Sequence, residues 1–181
     1  VQIAPFAYGN KNLGALLREA QTQTLSVPNT GMAVITDLVD DIKDIHPKNK
    51  QDVGARLAAW ALAETYKKGG IAYKSPMYKN MEVNKNKVTV YFSNAYNGLM
   101  IKGGDKKATG FYIAGDDKNF LPADVKIEGN HVILSNKQIK NPVAVRFAFS
   151  NTAMANIFSA EGLPVNPFRT DDWDVDTGKV D

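Results

Sequence analysis

The chain has 181 residues and a mass of 19.8 kDa, is 44% hydrophobic and 23% charged, and carries a net charge of +3 at pH 7. That length builds one full domain, or one small domain and part of another. The absence of cysteine excludes disulfides, thiolate zinc sites and cysteine nucleophiles, the scattered basic residues argue against nucleic acid as a partner, and no apolar run reaches the roughly 20 residues of a membrane span.

In chain order, "VQIAPFAYGNKN" (1–12) has neither an initiator methionine nor the charged-then-apolar pattern of a signal peptide. The chain is therefore expected to begin partway through a longer gene product. "LGALLREAQTQTL" follows, with Leu13, Leu16, Leu17 and Ala20 on one helical face. "TGMAVITDLV", set between Pro28 with Gly31 and a group of aspartates, reads as a buried strand. His46 then stands directly before Pro47. Proline favours the first turn of a helix and holds the preceding residue extended. His46 is thus expected on the loop between the strand and a second helix. That helix carries Val53, Leu57, Trp60, Ala61 and Glu64 on successive turns, with Gly54, Ala58 and Ala61 as a small-residue strip suited to close packing. It is expected to end at "KKGG", where lysines favour the dipole and glycine caps.

From Ile71 the period changes to two. "NKVTVYF", "GFYIAG", "ADVKIEGNHVILS" and "PVAVRFAF" read as strands, with Gly129-Asn130 as a hairpin turn and "KGGDKK" (102–107) as a solvated turn. This spacing predicts a small antiparallel β-sandwich, followed by an irregular, acidic, proline-bearing tail. The boundary falls at Gly69-Gly70, giving an α/β piece over 1–69 and a β-sandwich-like domain over 70–181. One strand and two helices cannot cover both faces of a sheet, so the first piece is expected to close a larger α/β domain.

His46 is the candidate for chemistry. Loops at the carboxyl ends of strands gather catalytic groups in open α/β sheets, and an imidazole oriented by a carboxylate is a general base of the right class. Equally, a lone loop histidine before a helix serves as a solvated or capping residue, and Asp37, Asp40, Asp41 and Asp44 simply favour the positive end of that helix. The aspartates lack the ligand spacing of a calcium loop. A zinc site needs more imidazoles than His46 and the distant His131 supply. No metal and no organic cofactor is implied.

"REAQ" (18–21), "NTGMAV" (29–34), "DIHPKNK" (44–50) and "VGARLA" (53–58), with "PVAVRFAFSN" and "GLPVNPFRTDDW" downstream, together resemble the closing section of the sialate O-acetylesterase family, SGNH-hydrolase-like carbohydrate esterases. The resemblance implies that residues 1–69 are the C-terminal part of an SGNH-type three-layer α/β/α domain. It implies a serine hydrolase that removes O-acetyl esters from sugars, sialic acid first, in the bacterial periplasm or beyond. His46 matches the catalytic histidine of the "DIHP" motif. Asp44 ranks first as its orienting partner, with Asp41, Asp40 or a main-chain carbonyl as alternatives, because the broader superfamily places its aspartate where Lys43 stands here.

None of Ser26, Ser75, Ser93, Ser135, Ser150 and Ser159 lies in a G-x-S-x-G elbow or a Gly-Asp-Ser setting. The resemblance then implies a nucleophile upstream, on an N-terminal segment of the same protein, continuous or noncovalently bound, and this chain alone is expected to be inactive. Arg146 and Arg169 are candidates for a sugar carboxylate, or else salt-bridge partners. Trp60 and Trp173 are candidates for sugar stacking, or else packing residues. Gln21, Thr30 and Gly31 read as structural. The rival reading is a non-catalytic carbohydrate-binding or packing β-sandwich; a further alternative keeps the esterase but changes the sugar, to acetylated xylan for example.

Overall fold

The structure is a computed structural model and describes residues 1–104 and 106–180. Asp105, within the 102–107 turn, and Asp181, at the end of the 70–181 region, lie outside the described residues. The chain is mostly strand, with two α-helices and antiparallel sheets.

Helix α1 spans Leu13–Gln23. Its predicted apolar face is not the buried one: Leu13 and Leu17 are exposed, and Gly14, Ala15 and Arg18 are buried. Contacts distant in sequence explain the rotation. The bare Cα of Gly14 lets the Tyr8 ring and Asn151 approach, and Asn151 Oδ1 accepts from Gly14 N–H at 2.8 Å. Asn151 thereby caps a helix end that has no local side-chain cap. The wholly buried Arg18 donates through Nη2 to the Ser150 carbonyl. Burial lowers its pKa to about 10, which leaves it charged at neutral pH.

Met32, Ala33, Val34 and Ile35 are buried, but residues 31–35 form no strand, and Thr36 lies in a turn. Their carbonyls are taken by other partners. Gln2 N–H donates to Ala33 O at 2.9 Å, Trp60 Nε1–H to Met32 O at 3.0 Å and Arg56 Nη1 to Val34 O at 2.5 Å. Gln21 Oε1 accepts from Ile3 N–H at 2.8 Å and holds this N-terminal segment in place, while the Thr30 hydroxyl closes the preceding turn onto the Thr24 and Val27 carbonyls.

Helix α2 spans Lys50–Trp60, starting three residues beyond Pro47. Asn49 accepts from Asp52 N–H at 3.0 Å and donates to the Asp52 carboxylate at 2.8 Å; this side-chain acceptor is what proline lacks, and it sets the helix start. A π-helical turn, Ala61–Thr65, ends the helix before the lysines expected in its last turn. Lys67, in the left-handed region at φ 54°, follows it. No residue of α2 is buried, and the Gly54–Ala58–Ala61 strip faces solvent. The helix is held by Arg56, which grips Asp37 with two bonds of 2.6 and 2.7 Å, and by Trp60.

Gly31 stands directly under the Trp60 indole, where a Cβ would lie 2.6 Å from Cε3. The ring is fixed by its bond to Met32 and by Tyr73 packing edge-on at 5.0 Å. Gly31→Ala is therefore expected to cost about 1–3 kcal/mol through overpacking, read as a lower urea midpoint. An unchanged midpoint would show that the indole moves aside freely.

The strands of the second region are β1 (Met77–Asn84), β2 (Lys87–Ser93), β3 (Leu99–Ile101), β4 (Phe111–Ala114) and β5 (Leu121–Pro122), then β6 (Asp124–Glu128), β7 (His131–Ser135), β8 (Ala144–Phe147), β9 (Ile157–Ser159) and β10 (Phe168–Arg169). They form one sheet of order β1-β2-β7-β6, a second of order β10-β8-β4-β5, and the pair β3-β9. The Gly129-Asn130 turn joins β6 to β7, pairing Glu128 with His131. β1 escaped the sequence reading because most of its side chains are exposed, which removes the apolar alternation. Alternate residues of the two four-stranded sheets form one core: Val88, Val90 and Phe92 with Val132 and Leu134 from one, Phe111, Ile113, Val145, Phe147 and Phe168 from the other. Gln2 Nε2 donates to Asn166 Oδ1 at 2.8 Å, and Glu19 pairs with Arg169, so the helical region is fastened to these sheets by polar contacts.

The tail from Gly162, expected to be irregular, contains β10, which pairs with β8; beyond β10 it is irregular yet tied down. Lys11 N–H donates to Gly178 O, Val180 N–H to Gly9 O, and Asn10 bridges Lys179.

Candidate active site

The loop that carries His46 is a succession of short-range turns built by aspartates. Asp41 Oδ1 accepts from Lys43 N–H at 2.8 Å, Asp41 O accepts from Asp44 N–H at 3.1 Å, and Asp44 Oδ1 accepts from His46 N–H at 2.9 Å. Aspartate favours such turns because its side chain reaches main-chain donors two residues on. Pro47 then holds the chain until Asn49 starts α2.

This geometry brings Asp44 and His46 together. Asp44 Oδ1 lies 3.5 Å from His46 Nδ1, with the imidazole side chain 82% exposed and the carboxylate 44% exposed. That is a loose contact rather than a short hydrogen bond. Of the other three aspartates, Asp37 is engaged by Arg56, Asp41 is turned onto Lys43 N–H, and Asp40 is exposed. The Asp44 carboxyl is held below the usual carboxylate range, first by the His46 main-chain N–H, against an opposing effect of burial and with the nearby His46 and Lys48 charges adding to the lowering. His46 and Asp44 border a hollow of only about 10 Å³, shared with Val39, Asp40, Asp41 and Pro47. No serine lines it. The imidazole stands out from the described residues, free to meet a group brought to it.

Because the depression of the Asp44 pKa comes first from a main-chain donor, His46→Ala is expected to leave the carboxyl still below the ordinary range. A carboxyl whose folded pKa is lowered stabilises the fold above its unfolded pKa, and that contribution is lost as pH falls through the folded value. Carboxyl-carbon NMR of Asp44 in both proteins measures this. A return to the ordinary carboxylate range in the His46→Ala variant would show that the ring, not the main chain, holds it down.

The two candidate arginines are already paired. Arg146 makes a two-bond pair with Asp171, at 2.9 and 2.7 Å, and its guanidinium lies over the Phe120 ring at 4.2 Å. Arg169 pairs with Glu19 at 2.8 and 3.0 Å and donates to the Trp173 carbonyl at 2.8 Å. Trp173 packs on Phe120 at 5.7 Å, and Trp60 on Tyr73. His131 lies in β7, within 3.6 Å of Glu128. Arg56 was not singled out in the sequence, although Asp37 and an arginine on the inner face of the next helix were a signal for it. Among the described residues no cluster of imidazole and carboxylate groups could hold a metal ion, and no helix is long and apolar enough to cross a membrane.

No protein-family model matches the chain, and no curated protein does. Among solved structures, it is similar to a novel carbohydrate acetylesterase from Xanthomonas citri, with 41% identity and a TM-score of 0.85. The likeness is to a carbohydrate esterase. It covers 95% of this chain and 40% of that enzyme, so the chain spans two fifths of the length of the protein it matches. Both segments, the helical one with the His46 loop and the strand-rich one, fall within so extensive a match.

Proposed function

We propose that this chain is the C-terminal, histidine-bearing portion of a carbohydrate esterase that hydrolyses O-acetyl esters on sugars, sialic acid first among them. The supporting observation is an exposed imidazole beside a carboxylate, His46 with Asp44, on a loop of a chain 41% identical to a carbohydrate acetylesterase. In this reading residues 1–69 complete an SGNH-type α/β/α domain and residues 70–181 form a β-sandwich accessory domain. The upstream segment of the same protein supplies the serine. His46 takes the proton from the serine hydroxyl as it attacks the acetyl carbonyl, then returns it to the leaving sugar oxygen. A water deprotonated by His46 next attacks the acyl-enzyme, releases acetate and restores the serine. Asp44 holds the ring and stabilises the imidazolium. Export from a bacterial cytoplasm fits an enzyme of polymeric or host glycans.

The test is acetate release from acetylated sialic acid and acetylated xylan, by the chain alone and by the chain joined to its upstream segment. The expected result is turnover only in the joined protein, with the serine of the upstream segment labelled by a fluorophosphonate. Esterase activity of the lone chain that disappears in His46→Ala would overturn the divided site. No turnover of any sugar acetate by the joined, labelled protein would overturn the carbohydrate reading.

A further inference from the structure

Far from His46 in sequence, the outer face of the β10-β8-β4-β5 sheet carries one transverse row. Arg169 pairs with Arg146, Arg146 with Tyr112, and Tyr112 with Pro122 across successive strands. Strand alternation puts the Phe168–Phe147–Phe111 row in the core, so this row points the other way. Above it lies a cleft of about 450 Å³ lined by Thr109, Tyr112, Phe120, Arg146, Phe149 and Met154, among others. Its size is that of a small-ligand site. Tyr112 and Met154 are exposed side chains on its wall.

The arginine charges beside this cleft are already matched by carboxylates. Asp171 receives both Arg146 bonds and lies 3.8 Å from Arg169, which Glu19 also pairs. Asp172 adds a third negative charge near Arg169, so two cations meet three carboxylates and no positive charge is left for an anion to neutralise. Arg146 nonetheless keeps Nη1 without a hydrogen-bond partner among the described residues, while its guanidinium is fixed between the Phe120 and Phe149 rings at 4.2 and 5.1 Å. The cleft thus offers aromatic and thioether surface, an uncommitted donor on Arg146 and the Tyr112 hydroxyl, while the Thr109 hydroxyl is spent on Asn156 Oδ1 at 3.1 Å. A ligand matching this has an apolar ring face and a rim of neutral hydroxyls.

We infer that this cleft is a non-catalytic binding subsite for a neutral sugar unit, stacked on Tyr112 and hydrogen-bonded to Arg146 Nη1. The saccharide class rests on the proposed activity; the cleft and its matched arginine charges do not. Such a subsite holds a glycan chain on the strand-rich region while another unit of it is deacetylated.

The full 181-residue chain, labelled at its methionine methyls, is titrated with xylotetraose as the neutral probe and sialyllactose as the acidic one. Met154 reports the cleft, and the buried Met32 is the internal control. The expected result is a saturable shift of Met154 with xylotetraose, with Kd on the order of 1 mM, and weaker binding of sialyllactose. Tyr112→Ala, at an exposed position, weakens it about tenfold with Met32 unmoved. No shift of Met154, or equal binding by Tyr112→Ala, overturns the subsite; tighter binding of sialyllactose overturns its neutrality. Binding is read without turnover, so failure here leaves the esterase reading standing, and loss of esterase activity in the joined protein leaves the subsite standing.

Discussion

His46→Ala, in the longer polypeptide proposed above, is expected to lower kcat for sugar-acetate hydrolysis by about 10⁴–10⁶-fold, with little change in KM. A base that moves the serine proton acts in the transition state and scarcely touches the bound sugar, so its loss falls on kcat. The side chain is 82% exposed, so its removal should leave the fold unaffected. Asp44→Asn is expected to cost less. At 3.5 Å and half-exposed, the carboxylate orients the ring only loosely in the described residues, and its second task, accepting the His46 N–H, survives in asparagine. Steady-state kinetics of both variants, with circular dichroism as the control for folding, decides this. Undiminished turnover in His46→Ala would remove the imidazole from the mechanism.

The largest effect on stability is expected at Arg146. Its partner Asp171 has a side chain only 1% exposed, and Arg146 supplies two of its bonds. Arg146→Ala strands that carboxylate, for Arg169 at 3.8 Å is already committed to Glu19, and also strips the cation from the Phe120 and Phe149 rings. A cost of about 3–5 kcal/mol is expected. Replacing both partners together, Arg146→Met with Asp171→Leu, should recover most of it, because the penalty comes from the unpaired charge and not from the absence of the pair. Urea unfolding of the single and double variants is the measurement. A double variant as unstable as the single one would show that the interaction itself, rather than desolvation of Asp171, carries the stability. This outcome bears on the sequence reading, in which Arg146 was a candidate for a sugar carboxylate: its two strong donors are spent on Asp171, and only Nη1 is left for a ligand.

Much of the strand-rich region was legible because burial there follows a period of two. Val88, Val90 and Phe92, or Phe111 and Ile113, are apolar at alternate positions and all reach the core. The hairpin at Gly129-Asn130 was legible for a local reason, the need for positive φ, and Gly129 has φ 55°. The helices were legible in existence and not in orientation. Leu13 and Leu17 mark an apolar stripe on α1, yet the face turned inward is the one bearing Gly14 and Arg18. Apolar periodicity states which residues gain by leaving water. It does not state which neighbour arrives, and here the neighbours are Asn151 and the Ser150 carbonyl, more than 130 residues away.

The same division holds for the candidate site. The sequence by itself determined the local turns of the loop: the aspartate turns, Pro47 and the Asn49 cap are interactions within a few residues, and they set Asp44 beside His46. The loop as a whole is tied to the N-terminal segment, where Ala7 N–H donates to the Ile42 carbonyl at 2.8 Å. The sequence also determined the strand alternation that puts Arg146 and Tyr112 on one face. Tertiary structure alone decided what those side chains do. It brought Asp171 to Arg146, Glu19 to Arg169, and Trp60 onto Gly31, and it gave the carbonyls of residues 32–34 to Gln2, Arg56 and Trp60 in place of a neighbouring strand. Local hydrogen bonds and backbone preferences depend on spacing along the chain and can be read from it; the pairing of a buried charge or a free carbonyl depends on which partner is nearest in space, and only the folded chain sets that distance.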